Sequence, residues 1–380
     1  MKRFPLLTDT RQSTEYSCGA SALQAVLSYW GKDLGEQELM KLLHTSPKTG
    51  TYVGDIVRVA RGLGFTAEVR ENLTLGDLQA ALEKGMPVIV CGQAWRSRED
   101  SDTSVQEDWE DGHYIVVLGM DKRYVYYQDP FIKRGKGFVS HRLFEQSWHN
   151  VRGKTSSDAK KQIHLGVFIS GNTPPRHHPL VTSDVSWGDL AKFGPLMLVN
   201  VRFESRIFPY DLLEKMKGIL NRDLIRPLAY IVLIKDREGN IGILEGGDLD
   251  EEEAVEIDAV IGYLIGLGAG GADTAKKYAG IAGKRAAEHT FGMSEHDLQK
   301  MAEDLPPDHS ALVFILEHIW VKRVKDALSS LGGSVVSHGM ITPELLMRWG
   351  ARLQEEQAGK GKKKIEFIQP ELFKEINKKE

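Results

Sequence analysis

The sequence predicts an α+β fold laid down in two successive parts, and three observations carry that expectation. Apolar positions recur at a period of about 3.6 in residues 20–83, whereas β-branched and aromatic runs take over from residue 86. After residue 196 the pattern reads β-α-β-β-β-α-β once a long helical stretch at 249–305 is set aside. Between the parts, residues 171–184 carry three prolines and no apolar periodicity, the composition of an extended linker. Helices segregated from strands point to α+β rather than to an alternating parallel sheet.

The first helix opens in the stretch Gln12-Ser13-Thr14-Glu15-Tyr16-Ser17-Cys18-Gly19-Ala20-Ser21 and its apolar positions run to Gly31. Cys18 then sits at the first turn, where unpaired N–H groups and the positive end of the helix dipole favour a thiolate. Gly19 leaves space beside the sulfur for another backbone to approach. Gln12, upstream on a loop, can turn its amide N–H2 to the same point, as an oxyanion donor must. Residues 34–43, 55–63 and 75–83 read as further helices and 65–70 as a strand. Cys91 ends an apolar strand at 87–90 and reads as a small buried hydrophobe. Residues 113–119 and 124–128 read as neighbouring strands joined by a short turn. That arrangement brings His113 close to Asp129, giving a nucleophile, a base and an orienting group with Gln12 in front.

Gln12-x5-Cys18-Gly19-Ala20, then Gly112-His113-Tyr114-x-Val116-Val117-x-Gly119, then Asp129-Pro130 resembles the papain-like bacteriocin-processing cysteine peptidase family and its stand-alone bacterial relatives. Gly85-Met86-Pro87-Val88-Ile89-Val90 is similar to that family's central strand, and Phe144 with Trp148-His149-Asn150 to its closing segment. The resemblance covers roughly residues 5–171. It implies a papain-like domain in which Cys18 is the nucleophile, His113 the base, Asp129 its orienter and Gln12 the oxyanion donor. It also implies a protein or peptide substrate and no cofactor. Relatives fused to a transporter often cleave after a double glycine; no transporter segment is seen in this sequence, so that specificity does not carry over.

Residues 96–110 form a polar loop rich in carboxylates (Glu99, Asp100, Asp102, Glu107, Asp108, Glu110), continued by Asp111. Such a loop beside a candidate base reads either as a specificity element for basic substrates or as a solvated insertion. Nothing in it has calcium-loop spacing, and no metal is expected. His141 and His149 flank Phe144 and read as structural; His164, His177 and His178 read as surface residues.

The second part, 196–341, has strands expected at 196–203, 229–235, 240–244, 311–317 and 334–338, and helices at 210–220 and 321–331. That order suggests a ferredoxin-like core with a helical insertion. It also resembles a family of uncharacterised bacterial glycine-rich domains, through Asp236-Arg237-Glu238-Gly239-Asn240, the glycine-rich helix, and Leu305-Pro306-Pro307-Asp308-His309-Ser310. The resemblance implies fold and possible assembly, not chemistry. Small residues between 259 and 283 suit close helix–helix approach, read here as homo-oligomer formation. The uncharged stretch 259–272 is shorter than the about 20 residues a membrane span needs. Residues 342–380 read as a helix and a charged tail.

Composition bounds the function. The 380 residues are 41% hydrophobic and 27% charged, the profile of a globular protein of several domains. A net charge of -4 argues against a nucleic-acid binder. Two cysteines and no secretory pattern point to a cytoplasmic, reducing compartment. The expected domains are 1–171, a linker at 172–195, 196–341 with its insertion at 249–305, and 342–380. The leading reading is a cysteine peptidase on a scaffold or assembly domain. The alternatives are an amidase or acyl transferase using the same residues, and a catalytically silent peptide-binding or oligomer-building module.

Overall fold

Helix α1 (Cys18–Tyr29) is buried on all sides except at Gln24, as a helix apolar all round must be. It ends where the N–H groups of Gly31 and Lys32 bond the carbonyls of Ser28 and Leu27, each at 2.9 Å, satisfying acceptors of its last turn. Helices α2 (Glu36–Leu42) and α3 (Val53–Gly62) pack against it. In α3 the stripe Val53, Ile56, Val57 and Ala60 turns inward while Arg58 and Arg61 stay exposed. These helices come from a computed structural model, which describes residues 7–95, 105–109, 111–152, 160–172, 194, 196–209, 212, 224–288 and 295–330.

The strands of the first part are β1 (Thr66–Arg70), β2 (Val88–Gln93), β3 (Gly112–Met120), β4 (Tyr124–Gln128), β5 (Lys136–Ser140) and β8 (Gly166–Ser170). Helix α4 (Leu75–Leu82) follows β1 and opens with a reciprocal cap. The Asp77 N–H bonds Thr74 Oγ1 at 3.2 Å and the Thr74 N–H bonds Asp77 Oδ2 at 2.8 Å. Helix α5 (His141–Ser147) follows β5, and β6 (His149–Arg152) pairs with β7 (Lys160–Ile163) in a separate two-stranded ribbon.

The second part adds β9 (Leu196–Phe203), β10 (Ile225–Lys235), β11 (Ile241–Gly246) and β12 (His309–His318). All ten strands lie in one antiparallel sheet, ordered β1-β8-β2-β3-β4-β5-β11-β10-β12-β9. The boundary expected at 172–195 is thus not a break in the sheet, because β11 hydrogen-bonds to β5 with Gly242 opposite Val139 and Glu245 opposite Lys136. Phe138 of β5 shares a core with Ile231, Ile243 and Leu298 from the second part. Within the first part the pleat sorts side chains by face. Ile89 and Cys91 join the cluster around α1, and Val88 and Val90 join Phe144 and Trp148 on the other face.

A ferredoxin-like core is not shown for the second part. Its described strands follow the order β11-β10-β12-β9, and the expected helix 210–220 and strand 334–338 lie outside the described residues, apart from Leu212. The expected helix and tail at 342–380 lie outside them as well. The insertion comprises α6 (Glu251–Glu288) and α7 (Glu295–Glu303). A Cβ on Gly262 would lie 2.6 Å from the Tyr278 carbonyl oxygen and 2.7 Å from the Ala282 Cβ. Sixteen residues of straight helix span about 24 Å, so α6 doubles back between these positions. Ala259, Tyr263, Ala275 and Ala279 form the seam. The close approach that the sequence suggested for self-association is therefore made within the chain. Among the described residues no helix is long and apolar enough to cross a membrane.

Residues 1–320 form one unit and 321–380 another; of the latter, 321–330 are described and belong to α8 (Ile319–Ser330).

Candidate active site

Cys18 is the first residue of α1, His113 lies at the start of β3, and Asp129 follows directly on β4. Strands β3 and β4 pair with Val116 opposite Gln128, so the two side chains meet where the ladder ends. His113 Nε2 lies 2.7 Å from Asp129 Oδ1, and both residues are buried. The other ring nitrogen, Nδ1, is left for Cys18, which lies close enough for His113 to lower its thiol.

The electrostatics of the pair follow from these contacts. Burial pushes the Cys18 thiol up, but the hydrogen bond and charge of His113, with the N–H groups of Tyr114 and Gly19, hold it below its ordinary value. Burial alone would depress His113. The charge and hydrogen bond of Asp129, then those of Cys18, outweigh that and raise it from 6.5 to about 10. Both shifts run toward a thiolate beside an imidazolium. Cys91, buried behind it, is driven well above its ordinary value, first by desolvation and then by the charge of Cys18.

Asp129 is held from every side. Its Oδ1 also accepts the Phe131 N–H at 2.8 Å, and its Oδ2 accepts the indole N–H of Trp95 at 3.1 Å. Its own N–H donates to Gly135 O at 2.8 Å. Trp95 adopts φ 60, which is uncommon for a bulky residue, and its ring lies 4.5 Å from that of Phe131. Sequence reasoning passed over Trp95 and Phe131. The one available signal was a tryptophan just past a buried strand, which has no partner until the fold supplies Asp129.

Gln12 is buried, and its backbone N–H bonds Pro130 O at 2.8 Å, tying it to the residue after Asp129. Its Nε2 donates to Thr14 O at 2.9 Å, and its Oε1 has no hydrogen-bond partner among the described residues. Beside the sulfur, Gly19 makes room for the Thr51 side chain rather than for a backbone, since a Cβ there would lie 2.7 Å from Thr51 Cβ. Thr51 is fixed in turn, its carbonyl accepting the Tyr114 hydroxyl at 3.2 Å.

His149 and His164 are packing elements. His149 donates from Nε2 to Asp108 O at 2.7 Å. His164, expected at the surface, is half-buried: it stacks on Trp148 at 4.7 Å and bonds Leu73 O through Nδ1. His177, His178 and most of the acidic loop lie outside the described residues. Of that loop, Asp108 is buried and Asp111 donates its N–H to Gln93 Oε1 at 2.9 Å. No group of three or more His, Cys, Asp or Glu side chains able to hold a metal ion occurs among the described residues.

Residues 4–156 match the model of the Peptidase_C39 like family, so this stretch is similar to C39-like peptidase domains. The match includes Gln12, Cys18, His113 and Asp129. The peptidase domain of Streptococcus ComA, a bi-functional ABC transporter involved in a quorum sensing pathway, is 20% identical. That alignment covers 44% of this chain and 98% of that one, with a TM-score of 0.31. A double glycine motif protease from an AMS/PCAT transporter, solved in complex with the leader peptide, is 17% identical over 44% of this chain and 94% of its own, with a TM-score of 0.30. No curated protein matches the chain.

Proposed function

We propose that the protein is a cysteine peptidase in which Cys18 is the nucleophile. The observation that carries this reading is the buried His113–Asp129 contact at 2.7 Å beside Cys18 at the start of α1, with the thiol held low and the imidazole held high by the charges between them. The thiolate attacks a peptide carbonyl carbon, and the carbonyl electrons move onto oxygen. The Cys18 N–H and the Gln12 amide stabilise that oxyanion. The His113 imidazolium gives its proton to the departing amine as the C–N bond breaks. His113 then takes a proton from water, which displaces the thiolate from the thioester. Asp129 keeps the ring oriented and stabilises its charge. The match to a C39-like family over the same residues supports the reaction class.

Incubating the intact protein with a peptide mixture and weighing the products tests the reading. Cleavage products that vanish in Cys18→Ala are expected; an unchanged mixture contradicts it. A mass change of one unit, or amine adducts in place of cleavage, assigns the same residues to deamidation or acyl transfer.

A further inference from the structure

A cavity of about 250 Å³ lies on the sheet face away from α1 and reaches His113 and Asp129 of the candidate active site. His113, Asp129 and Trp95 line one end, and Cys18 does not line it. The walls are apolar: Val90 and Ile115 from the first part, and Phe208, Val232 and Leu244 from the second. The volume exceeds the about 150 Å³ of a dry cavity that holds a benzene ring. It falls short of the about 300–1,000 Å³ typical of drug-sized ligands. One large side chain is the occupant of that size.

Three further charged groups in the lining, Lys235, Asp236 and Arg206, have partners of their own. Lys235 donates to the carbonyls of Glu303 at 3.0 Å and Leu305 at 2.9 Å. Both Asp236 oxygens accept from Asn240 at 2.7 Å, and Arg206 faces Asp308 at 3.8 Å. An apolar side chain would meet the apolar walls without burying an unpaired charge.

Position relative to the reaction follows from the proton path. The acyl part of a substrate stays on Cys18, and the amine departs past His113. We propose that this cavity receives a large apolar side chain of the substrate on the leaving-group side of the scissile bond, so that residues of the second part set specificity. The inference rests on the peptidase reading above and adds a substrate class to it.

Binding tests it without turnover. The intact protein is titrated by calorimetry with the amides of phenylalanine, leucine, alanine and lysine, which mimic the leaving-group end with its free amine. Phenylalanine and leucine amides should bind about 10-fold or more tighter than alanine amide, the scale of one fully buried apolar side chain. Val232→Phe fills the cavity and should abolish that preference. Ile234→Phe, at a half-buried position on the same wall, is the second filling variant, and circular dichroism checks that each is folded. Equal binding of all four amides, tightest binding of lysine amide, or a preference that survives both folded variants overturns the proposal. Iodoacetamide labelling of Cys18 in the unaltered protein is read separately. A labelled Cys18 without apolar preference sinks only the cavity assignment. An inert Cys18 with apolar preference keeps the pocket and sinks the peptidase reading.

Discussion

Trp95 and His113 grip opposite oxygens of one carboxylate: the indole N–H bonds Asp129 Oδ2 at 3.1 Å and His113 Nε2 lies 2.7 Å from Oδ1. Trp95 thereby fixes the plane of Asp129, and Asp129 fixes the ring that faces Cys18. A hydrogen bond to a charged group contributes about 1.5–3 kcal/mol. Trp95→Phe keeps the ring and removes the donor, so turnover should fall by about 10-fold or more. A variant with unchanged turnover would show that the clamp is packing alone.

The acidic and basic limbs of activity should belong to different residues. The lowered Cys18 thiol ionises below its ordinary value, so activity should persist to lower pH than an unperturbed thiol allows and fail as the thiolate is protonated. His113, raised to about 10, loses the proton needed by the leaving amine as pH climbs through that value, so activity should fall there. Asp129→Asn removes the charge that raises His113 and should move the alkaline limb to lower pH. An alkaline limb that stays in place in Asp129→Asn would remove Asp129 from the ring's electrostatics.

Cys18→Ala should abolish turnover with the fold intact, and His113→Ala should lose nearly as much. Asp129→Asn should lose less, since the proton acceptor survives. Gln12→Ala should cost about 10²-fold or more, the scale of one oxyanion donor, with little change in thiol alkylation. Measured rates in any other order, above all a Gln12→Ala enzyme at full speed, would reassign these roles.

What could be read in the chain was local. Cys18 at a helix start and His113 and Asp129 on successive strands lie in short patterns, and two strands joined by a turn predict their meeting. Phe208, Val232 and Leu244 were invisible because their placement depends on β11 pairing with β5, about a hundred residues apart in sequence, and Trp95 because its partner Asp129 lies 34 residues on. The same pairing was hidden by the proline-rich stretch, whose composition reads as a separator whatever sheet lies on either side. The small residues of α6 predicted a close helix contact; composition does not say whether the partner helix belongs to the same chain.

Gly262→Leu separates those cases. With Tyr278 and Ala282 already against Gly262, the added side chain has no space inside the folded-back α6. Overpacking of this kind costs about 1–3 kcal/mol, so the thermal midpoint should drop while the mass by light scattering stays the same. A lower mass at unchanged stability would return these residues to an interface between copies.

The central claim is that Cys18 is a thiolate made by His113, and the pH dependence of its alkylation tests that most directly. Intact protein is treated with iodoacetamide across the pH range, and the labelled peptide is identified by mass spectrometry. Rapid labelling of Cys18 below the pH range of an ordinary thiol is expected, with its loss there in His113→Ala and an unlabelled Cys91. Labelling of Cys18 that begins only above pH 8 and is the same in His113→Ala, or labelling of Cys91 in its place, would contradict it.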